Sequence, residues 1–290
     1  GSGKSTITLT KHHGRYHVDV LHDDAFVIHK ETETTIALEP AYFDKVQDYP
    51  LTDSRVEYFL TMQNVGVTLD EQGRKVPVLE DIRNGNGRTV KSRFVTKNRV
   101  DVITEKIDAI FWIMKDDSLP PVVKIDDPVL AAVFGLTLAT KRSTAENLVG
   151  EVDLEALVIE PYANPFRSYP LGEDYQNFRE LFQKQATDCY ILNTGAFNGK
   201  NVPAKVTLAS IEIIIEQPDA FVPFDSIDGL SYLPLDDFVV DFTQVTYLEK
   251  VQARMQNRLD FILKQNDFNR LPEEAAQAME NVIDSLKRMK

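Results

Sequence analysis

Gly1-Ser2-Gly3-Lys4-Ser5-Thr6 opens the sequence. Glycines carry no Cβ, so successive backbone N–H groups can face one anion; a lysine then neutralises outer phosphates, and the following hydroxyl can ligate Mg²⁺ at a helix start. The hexapeptide matches the second half of a phosphate-binding loop, which a strand normally feeds and an earlier glycine begins. The sequence is therefore expected to start inside its own motif, with that strand upstream. Gly-Ser-Gly is also a common flexible linker, so the reading leans on the residues downstream of Thr6.

Downstream stands an acidic pair. In HVDVLHDDAFVI (His17–Ile28), Val18, Val20 and Leu21 together with Phe26, Val27 and Ile28 make an apolar β context around Asp23-Asp24. Carboxylates at that position hold the metal of a nucleotide-handling site, directly or through water; an Asp pair also favours a plain turn. All five histidines (His12, His13, His17, His22, His29) lie in this one region. His22 adjoins the pair and suits Mn²⁺ or a similar ion. His12 and His13 read as solvated loop residues, and none of the five is taken as catalytic. Arg88, in NGNGRTVKS (Asn84–Ser92), has the fork geometry for phosphoryl oxygens, or is a surface arginine of a hairpin. The glycine-bearing loop NTGAFNGK (Asn193–Lys200) follows a strand-like run, as loops bordering a ligand crevice do.

The 290 residues carry a formal net charge of −13, which argues against a nucleic-acid or membrane-surface role. No apolar run is long enough to span a bilayer, and no secretory signal is visible. Cys189 is the only cysteine and sits in the apolar run CYIL, which reads as a buried core thiol in a reducing cytoplasm.

IDAIFWIM (Ile107–Met114), LEALVI (Leu154–Ile159) and TDCYILN (Thr187–Asn193) read as buried strands. EDYQNFRELFQK spaces Tyr175, Phe178, Leu181 and Phe182 as a helix does. Asp127-Pro128 is a helix start, cap then first position. Turn signals at Gln72-Gly73, Asn84-Gly85 and Asn86-Gly87 predict hairpins, hence an antiparallel part. Val245, Leu248, Val251, Met255, Leu259 and Ile262 form one helical stripe; a second helix opens at Leu271-Pro272 and carries Ala275, Met279, Val282 and Leu286. The expectation is an α/β fold with a mixed sheet.

Taken in order, these segments resemble the C-terminal, nucleotide-binding half of the ATP-dependent phosphoenolpyruvate carboxykinases. That family's Gly-Thr-Gly-Lys-Thr-Thr loop is Gly1–Thr6 here, and its Gly-Asp-Asp is His22-Asp23-Asp24. Its Asn-Thr-Arg is Asn86-Gly87-Arg88 and its Leu-Pro-Pro-Val is Leu119-Pro120-Pro121-Val122. Its Thr-Ala-Lys and Thr-Glu fall at Ala139–Lys141 and Thr144–Glu146, and its Asn-Thr-Gly at Asn193-Thr194-Gly195. The likeness runs from residue 1 to about 215. The sequence departs at Asn201, where the family has an arginine against adenine, and at His22 and Thr34, where it has glycine and lysine.

The resemblance implies a P-loop-containing carboxykinase-like nucleotide-binding domain over 1–242, and the two helical stripes set a C-terminal appendage over 243–290 on that one domain. It implies ATP, Mg²⁺ and Mn²⁺, cradled by Gly1, Ser2, Gly3, Lys4, Ser5 and Thr6, with Thr207 also at the nucleotide. Lys4 would bridge the β- and γ-phosphates, Ser5 ligate Mg²⁺, Asp24 ligate Mn²⁺, Asp23 hold a metal-bound water, and Arg88 stabilise the phosphoryl group in flight. The reaction implied is decarboxylation of oxaloacetate to an enolate, whose oxygen takes the γ-phosphoryl of ATP to give phosphoenolpyruvate. A missing N-terminal half would supply an oxaloacetate-binding arginine and a lysine and histidine for Mn²⁺, so these residues by themselves are expected to be inactive. Two other readings stay open: a kinase of another substrate on the same fold, as HPr kinase shares that core, and a non-catalytic nucleotide-binding or assembly module acting through 243–290.

Overall fold

The computed structural model describes residues 7, 15–19, 21, 25–32, 34–38, 41–45, 56–60, 65–78, 88–92, 100–141, 157–165, 167–185 and 187–290. The chain forms two compact units, Val18–Lys106 and the remainder.

The smaller unit is built from short antiparallel pairings. β1 (Phe26–Ile28), β2 (Thr35–Ala37) and β7 (Val102–Ile103) form one sheet in the order β1-β2-β7. β3 (Ala41–Lys45) pairs with β6 (Arg88–Ser92), and α1 (Val56–Phe59) is a single turn. β4 (Gly66–Leu69) and β5 (Lys75–Val78) make the hairpin expected at Gln72-Gly73. Its turn is organised by Asp70, whose Oδ1 accepts from Gln72 N at 3.0 Å and Arg74 N at 2.8 Å. Gly73 has φ +75, a left-handed conformation that glycine adopts without a Cβ clash. The other two turn signals, at 84–87, lie outside the described residues.

In the larger unit, β8 (Ala109–Met114) and β12 (Asp188–Asn193) run parallel, in register from Ala109 opposite Asp188 to Met114 opposite Asn193. β9 (Val122–Ile125), β15 (Val222–Pro223) and β16 (Leu230–Tyr232) add antiparallel partners, giving a mixed sheet in the order β15-β16-β9-β12-β8. β12 is apolar from Cys189 to Leu192 without polar alternation because both its faces are covered. Cys189 and Ile191 point to one apolar cluster and Tyr190 and Leu192 to the other. The fold is thus mixed α/β, with the helices packed on the sheet.

Helix α2 (Pro128–Leu136) begins as expected: Asp127 Oδ1 caps Leu130 N at 2.8 Å. After it β10 (Ala139–Lys141) pairs antiparallel with β11 (Leu157–Ile159), the described part of the third predicted strand. α3 (Leu171–Gln185) stacks Phe178 and Phe182 around Trp112, whose indole N–H donates to Ala131 O. The NTGAFNGK loop folds into a tight hairpin of β13 (Ala196–Phe197) and β14 (Lys200–Asn201), turning through Asn198 and Gly199 at positive φ. α4 (Ala204–Glu216) covers the second sheet face with Ile214.

The tail forms α5 (Val245–Leu263) and α6 (Glu273–Arg288). Leu248, Val251, Met255, Leu259 and Ile262 are buried, as are Ala275, Met279, Val282 and Leu286. Val245, which fits the same stripe, stands in the first turn and is exposed. The sequence reading sets residues 243–290 apart from 1–242. In the structure both helices put side chains into the cluster that holds Trp112 and Phe134, and the compact units meet at 17/18 and 106/107 along the chain. Among the described residues no helix is long and apolar enough to cross a membrane.

Candidate functional site

Parallel strands β8 and β12 end side by side, so the loops that leave Met114 and Asn193 share one edge of the sheet. In open α/β sheets the ligand crevice lies outside such carboxyl ends. Asn193 is fully buried and fastens the two loops together. Its Nδ2 donates to Asp116 O at 2.7 Å, Leu119 O at 2.7 Å and Ala196 O at 2.9 Å. Its Oδ1 accepts from Gly195 N at 3.1 Å and Asp116 N at 3.3 Å. The backbones cross-link as well, Asn193 N donating to Pro121 O and Thr194 N to Met114 O. Gly195 passes so near Lys115 that a Cβ would meet that residue's Cβ at 3.1 Å and its backbone Cα at 3.3 Å. Asn193 and Gly195 of the Asn-Thr-Gly landmark therefore have a structural reason, whereas Thr194 contributes its backbone N–H.

The loop after β8 is tied from the other side by α5. The carboxylate of Asp116 accepts from Ser118 N and Oγ and from Arg258 Nη2, the last at 2.8 Å. Burial by itself would push the Asp116 carboxyl up; the Arg258 charge and the Ser118 hydrogen bonds outweigh it and hold it below the ordinary carboxylate range. Arg258 Nη1 reaches the Thr137 hydroxyl at 2.9 Å and also donates to Thr137 O, at the end of α2. Arg254 and Lys250 pair with Asp117 at 3.3 and 3.4 Å, and the Tyr247 hydroxyl donates to Ser118 O at 3.2 Å. A cavity of about 340 Å³ opens beside this network, walled by Leu157, Ile159, Phe261, Arg254 and Arg258.

The sequence does not announce this constellation. Arg258 lies beside the Val251, Met255 and Leu259 stripe, where an arginine is usually a solvated flank; its burial to 3% is the unexpected part. A guanidinium held by a carboxylate, a hydroxyl and a carbonyl, over the face of Phe134, is a structural cross-link by its chemistry.

Of the residues singled out from the sequence, Gly1, Ser2, Gly3, Lys4, Ser5, Thr6, Asp23 and Asp24 lie outside the described residues, as does His22. Arg88 is the first residue of β6, its backbone opposite Lys45 in the smaller unit. Thr207 is buried in the first turn of α4 in the larger unit. Ile7, next in sequence after the glycine- and lysine-bearing motif, is helical and packs on the cluster of Val122, Tyr190, Leu192, Ile214 and Leu233. Among the described residues no group of three or more His, Cys, Asp or Glu could hold a metal ion. The two carboxylates and one hydroxyl named from the sequence are hard oxygen donors, the type Mg²⁺ and Mn²⁺ prefer.

No family model and no curated protein matches the sequence.

Proposed function

We propose that the chain is the nucleotide- and metal-binding part of an ATP-dependent phosphoenolpyruvate carboxykinase. One observation carries the reading. Two of the sequence landmarks, Leu119–Val122 and Asn193–Gly195, are locked together by Asn193 at the carboxyl ends of parallel strands. That edge is where an α/β sheet presents a ligand crevice, and the rigid scaffold there gives both motifs a common place to serve one site.

In this reading Lys4 and the amides of Gly1–Thr6 take the phosphates, and Ser5, Asp23 and Asp24 supply oxygen ligands to Mg²⁺ and Mn²⁺. The metals neutralise charge on the phosphates. Arg88 meets the phosphoryl oxygens through its planar fork. Phosphoryl transfer asks a protein mainly for positioning and electrostatic stabilisation, which is what these residue types provide. Oxaloacetate is the carboxylate substrate on this reading. The two other readings, a kinase of another substrate and a non-catalytic module, are favoured by one feature, Asn201, an exposed hairpin residue that cannot stack on adenine as the family's arginine does.

Calorimetric titration with Mg–ATP tests the reading. One charge-assisted contact is worth about 1.5–3 kcal/mol, so Lys4→Ala should bind several-fold or more weakly than the wild type. Equal affinities would sink it.

A further inference from the structure

One face of α5 walls the cavity beside the Asp116 network. Arg254, Asn257, Arg258, Phe261 and, at the C-cap, Lys264 stand on it at the spacings of three and four that align side chains along a helix. Strands β10 and β11 close the other side with Ala139, Leu157 and Ile159, and the buried part of the wall is Asp116, Thr137 and Arg258. At about 340 Å³ the space has the size of a small-molecule site. The hydrogen-bonding demand of this wall leans to donors. Ser118 and Arg258 fill the Asp116 carboxylate, and the exposed Asp260 accepts from Gln256 Nε2 at 2.9 Å. Arg254 is paired with Asp117, which lies outside the wall. Among the described residues, Arg258 Nε is buried with no hydrogen-bond partner. The Asn257 amide and the Lys264 ammonium, both at the exposed mouth, have none either. A buried donor left unmet is costly, and an acceptor arriving on a ligand would remove that cost.

We infer that this cavity is a binding site for a small organic carboxylate with an apolar body. The carboxylate accepts from Arg258 Nε and the Asn257 amide, Lys264 adds positive charge at the rim, and the body lies on Leu157, Ile159 and Phe261. A few placed polar groups over an apolar lining is the make-up of small-molecule sites generally. The inference does not rest on the nucleotide reading.

The test titrates benzoate into the full chain, isotope-labelled at its arginine side-chain nitrogens, by calorimetry and by nuclear magnetic resonance. Benzoate should bind saturably, with a Kd on the order of 1 mM or tighter, and should move one arginine Nε–H resonance in step with the heat. Benzyl alcohol, the same ring without the charge, should bind about tenfold more weakly. Acetate, the same charge without the ring, should lose at least about tenfold. Arg258 is left in place because it cross-links the fold, and the exposed Lys264 and Asn257 are varied instead. Lys264→Glu should weaken benzoate about fivefold, and Asn257→Ala by about the same factor, each with the thermal midpoint of the wild type. Absence of saturation, equal binding of the alcohol or of acetate, or wild-type affinity in both variants overturns the inference. So does benzoate binding that leaves every arginine Nε–H resonance where it was.

Discussion

Arg258 and Asp116 form an ion pair of 2.8 Å whose side chains are only 3% and 2% exposed, joining helix α5 to the loop after β8. Two charges out of water are held by geometry: Ser118 donates to the carboxylate and Thr137 accepts from Arg258 Nη1, while Arg258 Nε is buried without a hydrogen-bond partner among the described residues. Removing one partner leaves the other buried and uncompensated, at about 3–5 kcal/mol. Arg258→Ala should lose that much stability in urea denaturation. An Asp116→Leu/Arg258→Met double variant should be far less damaged than either single change, because apolar replacement of both removes the desolvation cost with the attraction.

The same pair sets a pH dependence. The Asp116 carboxyl is lowered in the folded state, with burial opposing and the Arg258 charge and Ser118 hydrogen bonds prevailing. A depressed folded value contributes stability that is complete above the unfolded carboxylate value, about 3.9, and is lost as pH falls through the lower folded value. Urea midpoints should therefore decline on acidification below about pH 5. The gap between wild type and Asp116→Asn should narrow over the same interval. A gap constant with pH would remove Asp116 from the acid transition.

Gly135, inside α2, faces the indole of Trp112. A Cβ there would lie 2.6 Å from Cζ2 and 2.8 Å from Cε2 of Trp112, and 2.9 Å from Cδ1 of Tyr162. Alanine improves helix propensity by about 1 kcal/mol, but overpacking a closed core costs about 1–3 kcal/mol. The rings have little room to give, since the indole N–H is bonded to Ala131 O. Gly135→Ala should lower the thermal midpoint and shift the emission of Trp112, the sequence's only tryptophan.

Asp24 tests the metal site of the proposed reading. Neutralising one carboxylate removes a ligand charge with little change of shape, so Asp24→Asn should weaken Mn²⁺ binding at least about tenfold with an unchanged circular dichroism spectrum. Equal Mn²⁺ titrations for the two proteins would make Asp23-Asp24 a turn and nothing more.

What the sequence made legible were elements whose cause is local. Ile107–Met114 reads as a buried strand from its own apolar run, Asp127-Pro128 as a cap from residue chemistry alone, and the α5 stripe from its period. The contacts that shape the candidate site are not local. Asp116 and Arg258 are 142 positions apart, and nothing in an isolated arginine beside an apolar stripe tells whether it turns to water or to a buried carboxylate. Val245 shows the same limit: its spacing fits the stripe, but a first-turn residue can escape cover. Asn193-Thr194-Gly195 was legible as a landmark, whereas the reason for Asn193 and Gly195 required the loop across from them.

Asn193 carries the final prediction, because its amide holds both loops at the sheet edge. Its Nδ2 faces the carbonyl oxygens of Asp116, Leu119 and Ala196, all within 2.9 Å. Asn193→Asp keeps the shape and replaces a donor by an acceptor against those three oxygens. Both variants leave those buried oxygens without a donor, at about 1–3 kcal/mol each, and the aspartate adds a buried charge that faces them, so it should be destabilised more than Asn193→Ala. The introduced carboxyl would be pushed up by burial and by the carbonyls around it. A raised folded value contributes stability below the unfolded value and loses it as pH rises. The excess penalty of Asn193→Asp over Asn193→Ala should then shrink on acidification as the carboxyl takes a proton and becomes a donor again. Urea denaturation of both variants from neutral pH down to about pH 4 reads this directly. Equal penalties at every pH would mean that the amide donates nothing of consequence, and the two loops would owe their alignment to backbone bonds alone.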